Sequence, residues 1–268
     1  MSGQRATNLR VLACFAMATV LTLAVSFAVA AATPSKALAE SKSSVWVIDK
    51  VVTKYNEGAS TDTVGYNAKG LVTSRKSITK GDGYSEKYLE TYGYTSKNAF
   101  NKFVVQINGK KQATFTFKTN SKGYTTKSVQ KSSSGTKYVS TFKYDKKGQL
   151  KSANTDLSSY GYKFDSKGRL SQMTVTADGD KSVFGYKYDS KGIITKSLYN
   201  KKTQTIYKNT YKNGRLAKQV AKDSEGTAMY TCKFTYKKVK VPKSLVKMVK
   251  AQQSNLVNHE YAMYLTHK

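Results

Sequence analysis

The chain has 268 residues, and 46 lysine and arginine residues against 16 aspartate and glutamate residues give a formal net charge of +30. Two cysteines and two histidines exclude a disulfide framework and argue against a histidine-based metal or catalytic site. A single-sign charge of this size attracts polyanions, so composition favours an anionic polymer as the partner.

The first 39 residues have the features of a signal peptide. A basic start and an apolar run over 11–32 precede Ala37-Leu38-Ala39, which has the small-x-small form of a signal-peptidase site. Cleavage after Ala39, cleavage after Ala30, and retention of the run as a membrane anchor are the alternatives. Cleavage and export are favoured, which predicts a secreted protein of the extracellular cell surface. Removing residues 1–39 takes away three basic residues and no acid, so the charge becomes +27.

Residues 40–50 are interpreted as a short linker followed by a first strand. Ser41–Ser44 is polar, and Val45-Trp46-Val47-Ile48 carries the only tryptophan of the chain. A chain that begins after the signal peptide keeps one cysteine, Cys232, which we expect to be a buried and inert thiol because it lies among aromatic residues.

Between residues 51 and 241 the chain repeats one phrase. Aromatic residues at alternate positions are followed by an acid or asparagine and then, three positions later, by glycine. The clearest copy is Phe142-Lys143-Tyr144-Asp145-Lys146-Lys147-Gly148. The glycine position recurs every 20 to 28 residues, which is typical of a repeat architecture. It is occupied in chain order by Gly70, Asn98, Gly123, Gly148, Gly168, Gly192 and Gly214.

Each phrase predicts a strand that enters a tight turn. The acid caps the turn by bonding to nearby backbone N–H groups, and the glycine adopts the positive φ that the loop requires. The structural turn residues predicted in this way are Asp145, Gly148, Asp165, Gly168, Asp189, Gly192 and Gly214. A second set of turns lies between them, so each unit forms two strands. We therefore predict an all-β fold of tandem antiparallel hairpins that form one curved meander sheet or an open barrel.

The two faces of these strands differ. In the segment 230–236, Tyr230, Cys232, Phe234 and Tyr236 share one face, while threonine and lysine occupy the other. Large apolar side chains prefer burial, so we expect the aromatic face to form the core, with a ligand-stacking surface as the alternative.

The copies from Tyr160-Gly161-Tyr162-Lys163-Phe164-Asp165-Ser166-Lys167-Gly168-Arg169-Leu170 to Tyr186-Lys187-Tyr188-Asp189-Ser190-Lys191-Gly192 resemble the YD repeats of Rhs, teneurin and wall-associated proteins. The resemblance is best over residues 142–216. It implies long curled β-sheets that enclose or display other modules, and an association with carbohydrate or the cell envelope. The chain is too short for a closed shell and has no self-cleavage segment or C-terminal toxin, so toxin delivery is not implied.

Pro242 ends the repeats, and residues 242–268 are expected to form a helical cap. Apolar residues from Leu245 to Val257 follow helical more than alternating spacing. Residues 261–265 are either an extension of this helix or a last strand. The expected role of the segment is to cover an open end or the aromatic face of the sheet.

No pattern in the sequence supports catalysis. Glycoside hydrolases need two carboxylates across a cleft, but the phrase assigns its aspartates to turns, and Glu86 and Glu90 occur without a supporting pattern. We therefore expect a protein that is not an enzyme and has no cofactor and no metal.

The predicted function is binding of an anionic cell-wall polymer or glycan by the lysine-rich sheet face. The residues predicted to bind are Lys143, Lys163, Lys187, Lys233 and Lys237. Export argues against nucleic acid as the partner, and membrane contact is expected only through an uncleaved signal peptide. One alternative is a carrier of a hydrophobic ligand or lipoprotein in a curved aromatic groove. Another is a structural or adhesive module that pairs through sheet edges, and the lysines would then serve only solubility.

Overall fold

Sixteen strands and one helix make up the computed structural model, which describes residues 41–258. The predicted signal peptide, both histidines and the element predicted at 261–265 lie outside the described residues. The strands are β1 (Lys42–Tyr55), β2 (Gly58–Tyr66), β3 (Val72–Gly81), β4 (Tyr84–Tyr94), β5 (Phe100–Ile107), β6 (Lys110–Thr119), β7 (Thr125–Ser132), β8 (Lys137–Tyr144), β9 (Leu150–Thr155), β10 (Ser158–Phe164), β11 (Leu170–Ala177), β12 (Asp180–Tyr188), β13 (Ile194–Tyr199), β14 (Lys202–Lys212), β15 (Arg215–Lys222) and β16 (Ala228–Pro242). A 3₁₀ turn, Lys243–Leu245, leads into the helix α1 (Val246–Val257).

The strands form a closed barrel. Each strand pairs antiparallel with its neighbours in sequence, and β1 pairs with both β2 and β16. The predicted meander of hairpins is therefore confirmed, and so is the barrel alternative, although the barrel is closed and not open. A twisted sheet of this many strands curls, and closure removes the edges at which other chains would pair. The adhesive alternative thus loses the edges that it needs in the barrel wall.

The repeated phrase forms the turns at one end of the barrel, which we call the repeat rim. In one of these turns the N–H of Gly148 donates to the carbonyl of Asp145 at 3.0 Å. The N–H groups of Lys147 and Gln149 donate to Oδ1 of Asp145 at 2.8 Å each. Asp165 and Asp189 accept the equivalent bonds, so the predicted turn roles are confirmed. The connections of the repeat rim are 67–71, 95–99, 120–124, 145–149, 165–169, 189–193 and 213–214.

Positive φ angles occur at the predicted glycine positions. Gly148, Gly168, Gly192 and Gly214 have φ between 74° and 81°. Asn98, which replaces glycine in one copy, has a φ of 64° and confirms that substitution. Asparagine tolerates this region better than most residues.

The aromatic face of the strands points into the barrel and forms its core, as expected. Phe103 on β5 and Phe115 on β6 are directly paired, with ring centroids 5.5 Å apart and at most 1% exposure. Burying a side chain of this size contributes about 1.5–3 kcal/mol. The outer face carries lysine and threonine, so the alternation read from the sequence decides which face points inward.

β1 and β16 extend beyond the barrel wall as a two-stranded ribbon, which comprises residues 42–48 and 236–242. β2 pairs with β1 only from Lys50 onward, and β15 pairs with β16 only up to Lys233. The ribbon lies at the same end as the repeat rim. It corrects the predicted linker, because residues 42–44 pair with 240–242 and are therefore part of β1.

Helix α1 follows the ribbon and crosses the repeat rim. The side-chain oxygen of Gln252 accepts the N–H of Val72 at the start of β3 at 3.0 Å. Just beyond the helix, the side-chain oxygen of Asn258 accepts the N–H of Ile194 at the start of β13, also at 3.0 Å. The predicted helical cap is thus present, and it bridges distant parts of one barrel end. Within residues 41–258, no helix has both the length and the apolar composition to span a bilayer.

Candidate polyanion-binding surface

Three of the predicted binding lysines form one row on the outer face. Lys143, Lys163 and Lys187 occupy the same repeat position on β8, β10 and β12, and all three are exposed. Alternate strands of a sheet lie about 10 Å apart, which sets the spacing of this row. The structure therefore brings these three residues together, as the repeat predicts.

The other two predicted residues lie apart from this row. Lys233 and Lys237 are on β16, which is four strands from β12 around the wall. Lys237 forms an ion pair with Asp49 at 2.8 Å, and its Nζ lies 5.3 Å from the ring centre of Tyr66. Its charge is thus partly neutralised, and the five predicted residues do not form a single site.

The repeat rim carries a second set of lysines that the sequence reasoning missed. In six of its seven turns a lysine directly precedes the glycine position, and each of these lysines is exposed. They are Lys69, Lys97, Lys122, Lys147, Lys167 and Lys191. The signal was present in the repeated phrase as a lysine before each glycine or Asn98. These lysines are recognisable as one surface only when alternate connections are known to lie at the same end of the barrel.

The turns hold these lysines in equivalent positions. The N–H of Lys147 donates to Oδ1 of Asp145 at 2.8 Å, and the N–H of Lys69 donates to Oδ1 of Asn67 at 2.9 Å. Lys122, Lys167 and Lys191 make the same bond at 2.9 to 3.0 Å. Because these bonds fix the backbone, these lysines occupy equivalent backbone positions in their turns.

Neighbouring turns of the repeat rim touch one another. Nζ of Lys69 lies 2.8 Å from Oδ1 of Asn98 in the next turn. The guanidinium of Arg169 donates to the carbonyl of Asp189 at 3.0 Å, again in the next turn. The lysine positions are therefore linked side by side along the rim.

The two ends of the barrel differ in charge. The connections of the repeat rim contain seven lysines, one arginine and three aspartates. The connections of the opposite rim are 56–57, 82–83, 108–109, 133–136, 156–157, 178–179, 200–201 and 223–227, and they contain six acids and one lysine. Lys243 in the 3₁₀ turn and Lys247 and Lys250 on helix α1 are exposed and add to the positive end.

The aspartates of the repeat rim are bound to donors of the protein itself. Partial burial alone would raise the pKa of Asp189. Hydrogen bonds from the Tyr211 hydroxyl, the Asn209 amide and backbone N–H groups overcome this effect and lower the pKa. For Asp165, burial is similarly outweighed by bonds from the side chain and backbone of Arg169, which lower its pKa. These carboxylates therefore stay ionised at neutral pH and stabilise the turns, and the seven lysines and one arginine of the repeat-rim connections exceed the three aspartates.

Trp46 extends the positive end onto the ribbon. Its indole is 42% exposed. The guanidinium carbon of Arg215 lies 4.1 Å from the ring centre, and Nζ of Lys238 lies 5.0 Å from it. Arg215 directly follows the last turn of the repeat rim, so this aromatic ring lies at one end of the row of turn lysines.

A charged cluster lies inside the barrel. Arg75 forms an ion pair with Asp62 at 2.9 Å, and Glu90 accepts hydrogen bonds from Tyr92 at 2.6 Å and Tyr88 at 3.1 Å. Burial alone would lower the pKa of Arg75, but the carboxylates of Asp62 and Glu90 raise it. The guanidinium thus stays charged, and the cluster ties β2, β3 and β4 together.

A small cavity lies in the interior of the barrel. A cavity beside Asp62, Arg75 and Gln219 has a volume of about 10 Å³, which suffices for about one water molecule. Closure turns the aromatic face inward, so the carrier alternative would need its ligand inside the barrel and not in an open groove. Cys232 is buried as expected and forms no disulfide within residues 41–258, with Sγ 3.3 Å from Oγ1 of Thr53. The described part of the chain also contains no cluster of three potential metal ligands.

No protein-family model matches the chain, and no curated protein matches it. Among solved structures, a porin-like protein from Bacteroides uniformis ATCC 8492 is similar, with 16% identity over 71% of this chain and 98% of that chain and a TM-score of 0.52. A porin-like protein from Bacteroides vulgatus ATCC 8482 has 9% identity over 73% of this chain and 85% of that chain, with a TM-score of 0.25. A TcdB2-TccC3 structure has 15% identity over 65% of this chain and 10% of that chain, with a TM-score of 0.30. The last two carry no argument, and the first shows that this chain shares an antiparallel barrel fold with a porin-like protein.

Proposed function

We propose that this chain is a secreted, non-enzymatic protein of the cell surface that binds an anionic cell-envelope polymer or glycan. The observation that carries the proposal is how few of the described lysines form ion pairs. Within residues 41–258, Lys237 is the one lysine that forms an ion pair with another described residue. Most of the positive charge is therefore directed at solvent and attracts a polyanion.

The closed barrel favours binding over a role of the lysines in solubility alone. Lysine on an edge strand protects a sheet from pairing with other chains. The barrel wall has no such edge, because β1 pairs on both sides. The lysine row on β8, β10 and β12 therefore has no edge to protect, and a binding role accounts for its regular position.

The repeated turn supports an association with the cell envelope. The phrase at Tyr188-Asp189-Ser190-Lys191-Gly192 has the form of a YD repeat, and the resemblance implies carbohydrate or envelope contact. In this proposal the barrel is a compact form of such repeats, exported by cleavage of residues 1–39 and displayed outside the cell.

Retention on isolated cell walls tests the proposal. Residues 40–268 are applied to walls with their anionic polymers intact and to walls stripped of them, and elution is followed over a salt gradient. We expect retention on intact walls only, with release as salt screens the contacts over about 10 Å at 0.1 M. Equal retention on stripped walls, or none on either, contradicts the proposal.

The five lysines predicted from the sequence provide a variant for the same assay. Lys143, Lys163, Lys187, Lys233 and Lys237 are each replaced by Glu, and circular dichroism confirms the barrel. Elution should then require less salt, because the variant has both lost positive charge and gained negative charge on its outer face.

A further inference from the structure

We propose that the repeat rim, and not the outer face of the barrel wall, is the main binding site, and that its ligand is a linear polyanion lying along the six turn lysines. This inference rests on the proposed function and specifies the site and the shape of the ligand. The six residues are Lys69, Lys97, Lys122, Lys147, Lys167 and Lys191, which we call the lysine series.

The spacing of the lysine series follows from the topology. Successive turns of the repeat rim are separated by two strands, and strands lie about 4.8 Å apart, so equivalent lysine positions are spaced by about 10 Å. Six such positions extend over about 50 Å of rim. A linear polymer with an anionic group in each repeat unit matches this single-file arrangement, whether the group is a phosphate, a sulfate or a carboxylate.

The two rims differ in charge, and this difference favours binding of the polyanion at the repeat rim. The acids of the opposite rim include Glu57, Asp82 and Asp156, which stand at connections equivalent to those that carry lysine at the repeat rim. A polyanion approaching the barrel is therefore attracted more strongly by the repeat rim, because the acids of the opposite rim offset nearby lysines such as Lys110 and Lys137. The outer face carries lysines near both rims, such as Lys137 and Lys143 at the two ends of β8.

A planar lipid surface is a poorer match for the repeat rim. Proteins that bind at a membrane surface bury apolar side chains among the headgroups. Five of the six large exposed apolar residues among 41–258 lie at the opposite end, namely Tyr55, Tyr84, Leu157, Tyr199 and Met229, and only Trp46 on the ribbon lies at the end of the repeat rim. The exposed tip positions of the repeat rim are instead small or polar, such as Ser121, Ser166 and Ser190.

The test compares two variants of equal charge change. In the first, the lysine series is replaced by Gln, which retains the backbone bonds of the turns. In the second, the matched control, six exposed lysines near the opposite rim are replaced by Gln, namely Lys110, Lys111, Lys137, Lys181, Lys201 and Lys202. Affinity for heparin and for long-chain polyphosphate is measured at several salt concentrations, and phosphatidylglycerol vesicles provide a planar anionic surface.

The expected result is a dissociation constant for both polymers that rises about tenfold or more in the first variant, with a shallower salt dependence, because contacts that release counterions are lost. The control variant should change by less than about threefold, reflecting net charge alone. If both variants lose affinity equally, the repeat rim is not the main binding site, and the proposed function is not contradicted. Failure of the unaltered protein to bind either polymer overturns the proposed function itself.

Two further measurements examine the position and shape of the ligand. Trp46 is the only tryptophan of the chain and lies beside Arg215 at the end of the lysine series, so its fluorescence should change on polymer binding in the unaltered protein and the control. Affinity for polyphosphate should rise with chain length up to about 50 Å and then level off. Binding to vesicles without binding to either soluble polymer overturns the linear ligand.

Discussion

The side chain of Gln252 joins two strands across the end of the barrel. Its oxygen accepts the N–H of Val72 at 3.0 Å, and its Nε2 donates to the hydroxyl of Tyr94 at 3.1 Å. Gln252 is 2% exposed, so these bonds form away from water. In the sequence this glutamine interrupts the apolar pattern of the helix, and in the structure it attaches the helix to the wall.

Replacing Gln252 with Ala should therefore lower the free energy of unfolding by about 1–3 kcal/mol, because the buried N–H of Val72 loses its acceptor. Lys250→Ala, on the exposed face of the same helix, is the control and should change stability by less than about 0.5 kcal/mol. Urea denaturation at neutral pH measures both. Equal effects would show that only helix propensity matters.

The buried ion pair should matter more than the exposed one. Arg75→Met leaves the carboxylates of Asp62 and Glu90 inside the barrel without their guanidinium, and we expect a loss of about 3–5 kcal/mol. Lys237→Met breaks the exposed pair with Asp49 and should cost at most about 1 kcal/mol. Thermal and urea unfolding of the two variants check this order, and a reversed order would contradict a structural role for the interior cluster.

Two turn glycines should differ in their tolerance of a side chain. Gly148 and Gly168 have φ of 78° and 76°, so alanine at either position is strained by about 1–2 kcal/mol. A Cβ at Gly148 would lie 2.1 Å from the hydroxyl of Tyr124, whose ring stacks on Tyr144 at 4.9 Å. At Gly168 the nearest atom is 3.6 Å away.

Gly148→Ala should consequently destabilise the barrel by roughly 1–3 kcal/mol more than Gly168→Ala, as overpacking does elsewhere. Denaturation curves of the two variants give the difference directly. A second variant that combines Gly148→Ala with Tyr124→Ala should recover the steric part of the loss. Equal stability of the two single variants would mean that Tyr124 moves aside freely.

The barrel should lose stability in alkaline solution. Burial raises the pKa of Tyr236 to about 12, with the nearby Arg215 acting in the opposite direction. A pKa raised in the folded state gives stability that is complete below the unfolded value of about 10 and is lost as the pH rises through the folded value. Burial likewise raises the pKa of Tyr94, Tyr144 and Tyr188.

The free energy of unfolding should thus be steady near neutral pH and fall above about pH 10. Tyr236→Phe should lose about 1 kcal/mol at neutral pH, since its hydroxyl donates to the carbonyl of Leu216 at 2.8 Å. The variant should show a smaller drop between pH 10 and 12 than the unaltered protein. Urea denaturation across that range, with tyrosinate absorbance as a second signal, measures the difference.

Local interactions explain why much of the fold could be predicted. The phrase around Asp145 and Gly148 encodes its turn through bonds that span at most four residues. The alternation of Tyr230, Cys232, Phe234 and Tyr236 with lysine and threonine follows the two-residue period of a strand. Neither inference depends on distant parts of the chain, and the structure confirms both the turns and the inward aromatic face.

Contacts between distant residues decided what could not be predicted. Closure depends on pairs such as Thr53 with Cys232, which nothing in the local sequence indicates. It turned the aromatic face inward, and the same strand pairing made residues 42–44, which were predicted as a linker, part of β1.

Only part of the candidate site could be predicted from the sequence, for the same reason. A row of lysines on alternate strands follows from the repeat itself, as Lys143, Lys163 and Lys187 show. The six turn lysines share the repeat rim because every second connection of an up-and-down barrel lies at the same end. Local chemistry thus set the strands, turns and faces of this protein. The tertiary structure alone decided that β1 pairs with β16, that the aromatic face is enclosed and that α1 lies across the repeat rim, since these depend on contacts between residues far apart in the chain.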